Sequence, residues 1–345
     1  MKALVKYQKG DGFMELREVP EPKAGPGQVK IRVGYTGICG SDLHIYHQDI
    51  GIPIRPPVVT GHEFSGTVAE LGAGVEGWKV GDRVVSETAF SCCGTCPHCR
   101  EGYYNLCNER RTLGYWFDGA FAPFTVVPAG RLHALPESVS FLAGALMEPL
   151  ACITHAVMEL TTIRAGDVVL VSGPGAVGLA ALQVARSHGA RVLVCGTSVD
   201  RERLAAARRL GAEWTVDVME TDLLDLVGKL TGGAGADVAL ECSGSAKAAD
   251  TGLLAVRKRG QFTQIGLFGK PVNLDFERIC YKEIRVTGSL GSRWTSWVKA
   301  LALVEGKKVL LEPLASDVLP LSRWQEAFAM FEAKKGLKIV LDPWG

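Results

Sequence analysis

The sequence predicts a mixed fold, a β-rich first part followed by an α/β part built on a doubly wound parallel sheet. Three observations carry that prediction. Up to about residue 150, short β-rich segments at 3–7, 29–33, 64–71, 83–86 and 124–127 alternate with turns at Pro26-Gly27, Pro56-Pro57 and Gly81-Asp82. From about 165 to 290 the rhythm becomes strand then helix, repeatedly, which implies βαβ units and helices on both faces of a parallel sheet. The length of 345 residues suits about two domains with sizeable cores.

Taken in order, the first part reads as an antiparallel barrel or sandwich with one Cys-rich excursion. In the second part, 168–172 is a continuous apolar run of the kind found in a buried parallel strand. Residues 176–188 follow as a helix, 192–195 as a strand and 201–210 as a helix, and strands at 237–241, 262–265 and 284–287 continue the alternation. A helix around 297–304 and a strand-like 338–341 end the chain, with the tail expected to return to the first domain.

Charge and cysteine content narrow the function. Basic and acidic side chains number 38 and 37, so the net charge of +1 gives no reason to expect a nucleic-acid or anionic-membrane partner. No apolar run approaches the ~18–20 residues that span a bilayer, and MKALVKYQKG lacks a signal-peptide core. A soluble, cytoplasmic protein is expected. Five of the ten cysteines fall between Cys92 and Cys107, while Cys39, Cys152, Cys195, Cys242 and Cys280 are scattered. Clustered thiols in a long chain read as a metal site rather than a disulfide scaffold.

Gly173-Pro174-Gly175-Ala176-Val177-Gly178 follows an apolar strand and opens a helix, the context in which GxGxxG binds a dinucleotide. The first glycine makes the tight turn, the second admits the pyrophosphate, the third lets helix and strand pack, and the helix N-terminus offers free N–H groups. A plain strand-to-helix turn is the competing reading. The acidic residue expected at the end of the next strand is missing, because Val194-Cys195 runs into Gly196-Thr197-Ser198. A carboxylate there would bind the ribose of NAD and repel a 2′-phosphate. Gly196 removes that repulsion, and Ser198, Arg201 and Arg203 offer phosphate contacts, so the loop leans to NADP. Asp200 folding back would restore NAD, and the arginines can equally be a solvated helix face.

Cys93, Cys96, Cys99 and Cys107 offer four thiolates within fifteen residues, with Gly94, Pro97 and Gly102 to turn the chain. That set suits a closed structural zinc site, and a disulfide or redox CxxC is the alternative. Cys92 lies one residue out of register. A second, dispersed set comprises Cys39, Ser41, Asp42 and His44, then His62 and Glu63, then Glu148. Together they supply a thiolate, an imidazole and carboxylates, a set that suits an open, catalytic zinc.

With these residues on the page, the chain resembles the zinc-dependent medium-chain dehydrogenase/reductase family (alcohol dehydrogenase superfamily), on its sorbitol or polyol dehydrogenase branch. GICGSDLH, VVTGHEFSGTV, the four-Cys loop, MEPLACITHAV and VSGPGAVG occur in family order over almost the whole chain. The resemblance implies a GroES-like catalytic domain at 1–150 with a zinc lobe at about 90–110. It implies a Rossmann domain at 151–290 and a return segment at 291–345. It also implies a catalytic zinc on Cys39, His62 and Glu63, with Glu148 binding or approaching it through water. A structural zinc is implied on Cys93, Cys96, Cys99 and Cys107, which makes two per chain. A homodimer or homotetramer is implied as well.

The chemistry implied is hydride transfer between a secondary alcohol and NAD(P). A dication lowers the pKa of the reacting hydroxyl, and the cofactor carries the hydride. Ser41 is placed to take the released proton and His44 to pass it on, unless Ser41 only caps a helix. Asp42 either orients His62 or caps that helix. Tyr115-Trp116-Phe117 reads as pocket lining or as plain core, and His47, Gln48 and Asp49 are polar groups available to hydroxyls. Arg293 lies near the place of a substrate-binding arginine in polyol dehydrogenases, at an unexpected spacing. The leading reading is a polyol or secondary-alcohol dehydrogenase. L-threonine 3-dehydrogenase and simple alcohol dehydrogenase are the rivals, and a non-catalytic nucleotide sensor or a nucleic-acid zinc module are the distant ones.

Overall fold

The computed structural model describes residues 1–49, 51 and 53–345. The chain forms two compact units. One takes Met1–Ala151, Ser292–Glu305 and Leu311–Gly345, and the other takes Cys152–Gly291 and Gly306–Leu310.

The first unit is β-rich because its strands alternate. In Gln28–Gly37, Val29, Ile31 and Val33 are fully buried while Arg32 faces solvent, the period-two pattern of a half-buried strand. That strand sits inside a seven-stranded sheet ordered Leu132–Ala134, Arg83–Ser86, Glu63–Leu71, Gln28–Gly37, Lys338–Asp342, Ala315–Pro320, with Phe124–Pro128 also paired to Gln28–Gly37. Met14–Glu18, Lys2–Lys6 and Val58–Val59 make a smaller sheet.

Pairing in the larger sheet is antiparallel except at one end. Ala315–Pro320 and Lys338–Asp342 run parallel, which requires a crossover, and the helix Trp324–Glu332 supplies it. The last strand docks antiparallel on Gln28–Gly37 with Val340 opposite Gly37, so the two ends of the chain share one sheet.

The Cys-rich loop springs from the short pair Ala89–Ser91 and Arg111–Thr112. Buried Glu87 anchors its base. The Tyr104 hydroxyl donates to Glu87 at 2.6 Å, and His133 Nε2 lies 3.0 Å from its other oxygen. The His133 ring stacks on buried Trp297, which holds the returning helix Trp294–Glu305 against the same centre.

In the second unit all six strands are parallel, in the order Trp214–Asp217, Arg191–Gly196, Val168–Ser172, Ala236–Glu241, Val256–Gln264, Arg285–Gly288. Numbered along this unit the order is 3-2-1-4-5-6, the dinucleotide-binding arrangement, with its switch point beside Val168–Ser172. Every residue of that central strand is buried. The strand Trp214–Asp217 and the helix Leu223–Leu230 carried no clear signal in the sequence, the strand being short and half-exposed.

Candidate metal and nucleotide sites

The sulfur cluster is local. The Sγ atoms of Cys93, Cys96, Cys99 and Cys107 all lie within 4.8 Å of one another, with Cys93 at 3.9 Å from Cys99 and 3.6 Å from Cys107. Zn–S bonds of about 2.3 Å in a tetrahedron give edges of about 3.8 Å, so the four thiols fit a zinc ion. Backbone N–H groups of Cys96 and Cys99 donate to the sulfurs of Cys93 and Cys96 at 3.3 and 3.5 Å. Donation from the Cys96 N–H, with help from Thr95, lowers the Cys93 thiol to about 6. Burial pushes the Cys99 thiol up. All ten cysteines are free, so no disulfide competes for these sulfurs. Cys92 stands outside the set and accepts from Arg131 Nη2 at 3.3 Å.

The dispersed set is assembled by the fold. Cys39 is the N-cap residue of the helix Gly40–His47, and His62 and Glu63 lie where the strand Glu63–Leu71 begins. Gly61 turns the chain into that strand at φ +88°, and a Cβ there would stand 2.6 Å from the Phe121 ring. One ligand atom each from Cys39, His62 and Glu63 fall within 4.8 Å of one another. Glu148 is not part of that trio. It is buried in the first turn of the helix Met147–Thr154.

Asp42 caps the helix and lies beside His62. Its Oδ2 accepts the Cys39 N–H at 2.8 Å, and its Oδ1 lies 3.5 Å from His62 Nδ1. The cap role therefore falls to Asp42, and Ser41 stands free of it, with Oγ 3.4 Å from His62 Nε2. Burial opposes the His62 charge. Tyr115, Asp42 and Cys39 outweigh it, leaving the imidazole well above its usual 6.5.

Lys338 is a residue the sequence did not reveal. Its ammonium lies 2.5 Å from Glu63 Oε2, with both side chains almost fully buried. Glu63 Oε1 has no hydrogen-bond partner among the described residues, as a carboxylate facing a cation would. A Cβ on Gly37 would collide with Glu63 Oε2 and stand 3.1 Å from Lys338 Cε, so glycine makes room for the pair. Burial disfavours the Lys338 charge, but the charges of Glu63, Cys39 and Asp42 raise it above 10.5. The only signal was one lysine opening a last strand whose next three residues are apolar.

Several expected side chains are committed elsewhere. His44 Nδ1 pairs with Asp49 at 2.7 Å, and His47 bridges Asp11 at 2.9 Å and Glu332 at 2.5 Å. Gln48 accepts from the Gly10 N–H. These residues hold the end of their helix instead of standing ready for hydroxyls. The aromatic run divides. Tyr115 meets the His62 ring edge-on at 5.4 Å, Trp116 lies under Arg111 at 4.4 Å, and Phe117 stacks on Phe90 at 3.9 Å. Arg293 stacks on Tyr103 at 4.0 Å.

In the second unit, Gly173 takes φ +93°, and a Cβ there would press on Ser243 at 2.7 Å. A Cβ on Gly178 would overlap the Gly173 carbonyl, so this glycine serves helix–strand packing. Gly175 is different. A Cβ there would meet nothing within 4 Å, so the space beside it is open. It is the N-cap of the helix Ala176–Ser187 and supplies no capping side chain, so the N–H groups at Ala176 and Val177 fit a pyrophosphate. Asp200 is held within its own loop. Its Oδ2 accepts the Thr197 N–H at 3.0 Å and hydroxyl at 2.9 Å, and Arg203 lies 3.7 Å away. Ser198 and Arg201 remain exposed.

Two domain families match the chain: the alcohol dehydrogenase GroES-like domain over residues 25–137, and the zinc-binding dehydrogenase domain over 176–306. A sorbitol dehydrogenase of Halalkalibacterium halodurans is 46% identical over 344 residues, 99% of each chain. The chain belongs to the zinc-dependent alcohol dehydrogenase family. A D-arabitol-phosphate dehydrogenase of Enterococcus avium is 39% identical, covering 99% of this chain and 97% of its own. A zinc-binding dehydrogenase from Sinorhizobium meliloti 1021, solved with NADP bound, superposes with a TM-score of 0.90 at 30% identity over 99% of each chain. As a member of this family the protein is a dehydrogenase of alcohols or polyols that uses zinc and a nicotinamide cofactor. No helix among the described residues is long and apolar enough to cross a membrane.

Proposed function

We propose that the protein oxidises a secondary hydroxyl of a polyol to the ketone, reversibly. Cys39, His62 and Glu63 hold one zinc, with Glu148 beside it, and Cys93, Cys96, Cys99 and Cys107 hold a second. The convergence of the Cys39, His62 and Glu63 ligand atoms within 4.8 Å, with the Ser41 hydroxyl 3.4 Å from His62 Nε2, carries the reading. Zinc would stabilise negative charge on the reacting oxygen while the nicotinamide accepts the hydride. Asp42 fixes the His62 ring, Lys338 balances the Glu63 charge, and Ser41 accepts the released proton. His44, paired to exposed Asp49, passes it toward water.

The cofactor loop supports NADP(H) as well as NAD(H), with the lean toward NADP. Gly196 places no carboxylate at the strand end, Asp200 is consumed by Thr197, and Ser198 and Arg201 remain for a 2′-phosphate, with Arg203 behind them. A homodimer or homotetramer is supported by the unpaired edge strand Arg285–Gly288 and by exposed Phe276 and Tyr281. Free thiols at all ten cysteines support the cytoplasm.

The test measures zinc per chain and the reduction of NAD⁺ and NADP⁺ over polyols, L-threonine and simple alcohols. Two zincs and preferential turnover of a polyol are expected. Preference for L-threonine would replace the substrate, and two zincs without turnover of anything would replace the enzyme with a sensor.

A further inference from the structure

Within the reading just proposed, one aromatic residue stands apart from its neighbours. Of the three residues of the Tyr115-Trp116-Phe117 run, only Tyr115 meets the metal trio, its ring edge-on to His62 at 78°. The turn that carries it is fixed by the backbone, with Arg55 N–H donating to the Tyr115 carbonyl at 2.9 Å and Trp116 N–H to Thr112 at 3.0 Å. Ser41 Oγ lies 3.4 Å from Nε2 of the same imidazole. Ser41 and the Tyr115 ring therefore both meet one imidazole.

Burial divides the site into a floor and an accessible side. His62, Glu63, Asp42 and Lys338 are buried, whereas Cys39, Ser41 and Tyr115 keep partial exposure. Ser41 and Tyr115 are thus hydroxyl-bearing residues beside His62 that keep some exposure. The other polar candidates nearby, His47, Gln48 and Asp49, are already paired.

We propose that Tyr115 is a specificity-determining residue whose phenol recognises a second hydroxyl, on the carbon next to the reacting one, so that the site selects vicinal diols and polyols over mono-alcohols. Ser41 serves the oxygen that loses its proton. The phenol, both donor and acceptor, serves the neighbouring oxygen. A mono-alcohol puts a methylene against that phenol and leaves it without its partner, the situation in which polar sites discriminate most strongly.

The test uses the zinc-loaded full-length enzyme and its Tyr115→Phe variant, with 2,3-butanediol, sorbitol and 2-butanol as probes. The readouts are kcat/KM for each alcohol and its calorimetric Kd with reduced cofactor present, where no hydride can move. Loss of one hydrogen bond predicts that the preference for diol and polyol over 2-butanol falls about tenfold, mostly in KM and Kd, with zinc content and Tm retained. Preferences that stay within about twofold of the parent, in a folded and zinc-loaded variant, overturn the role of Tyr115. Should the parent oxidise none of the three, the polyol reading fails and the Kd decides alone. Binding of 2,3-butanediol no tighter than 2-butanol then overturns this inference as well.

Discussion

The two metal constellations in the first unit are made in opposite ways. The sulfur loop gathers four ligands from one short stretch, turns on Gly94 and Gly102, and takes its N–H···S bonds from its own backbone. The Cys39, His62 and Glu63 trio draws on a helix cap, a strand start and a counter-charge from the last strand of the chain. A closed tetrahedral site needs only proximity, and short spacing provides it. An open site must keep an uncoordinated position and a fixed imidazole, and both demand support from distant residues. Loss of a ligand should therefore act on stability in the first case and on chemistry in the second.

Cys39→Ser is the largest break in that comparison. Turnover is expected to fall on the order of 10³-fold or more, since zinc supplies several kcal/mol of charge stabilisation, with the Tm little changed. Cys99→Ser should do the reverse, lowering the Tm and releasing one zinc while the remaining folded enzyme keeps its kcat. Steady-state rates, zinc analysis and calorimetry on both variants check the pair. Matching losses of activity and stability in the two would erase the distinction.

Lys338→Met comes next. In the metal-free protein it leaves the Glu63 carboxylate buried without a cation, and breaking such a pair costs about 3–5 kcal/mol. Denaturant unfolding should show the loss, together with poorer zinc retention at the trio and unaltered retention at the sulfur loop. A midpoint equal to the parent's would mean that Glu63 needs no counter-charge.

The same contrast explains what the sequence could reveal. The sulfur loop, the glycine-rich turn and the alternating strands are local patterns, and each was legible because its partners lie within a few residues. Lys338 was not, because its meaning lies in the pairing of Val340 opposite Gly37, which no local pattern encodes. Asp42 was legible as two alternatives, and the structure gives it the cap bond with its other oxygen facing His62. For His47, Gln48 and Asp49 the sequence showed only polarity near a ligand, which looks the same whether or not a distant loop or helix has engaged it. Asp11 and Glu332 had engaged His47.

Asp42→Asn should have an intermediate effect. The amide keeps an acceptor for one partner but loses the charge that orients the imidazole. Metal affinity at the trio is expected to fall about 10–100-fold, as for other groups that orient a metal-binding histidine. Competition with a chelator, read separately at the trio and at the sulfur loop, measures it. An unchanged affinity would reduce Asp42 to a helix cap.

The smallest expected effect is on pH dependence, and it sharpens the comparison by its sign. His47 ends the helix that begins at Cys39. The Glu332 bond raises its pKa above 6.5 against the effect of burial, with Asp11 adding to the rise. Cationic His47 also lies at a helix C-terminus, where positive charge is favoured. A raised folded pKa gives stability fully present below the unfolded value of 6.5 and lost as pH rises through the folded pKa. The pair is largely exposed and screened by salt, so less than about 1 kcal/mol is involved. The sulfur loop responds the other way, because its ligands must be deprotonated and acid releases the metal. Melting curves from acid to mildly alkaline pH should therefore show His47→Gln losing a small stabilisation on the acid side, and Cys99→Ser losing the part of the acid sensitivity that comes from the metal. If His47→Gln leaves the acid side unchanged, the Asp11–His47–Glu332 bridge contributes nothing to holding the helix that presents Cys39, Ser41 and Asp42.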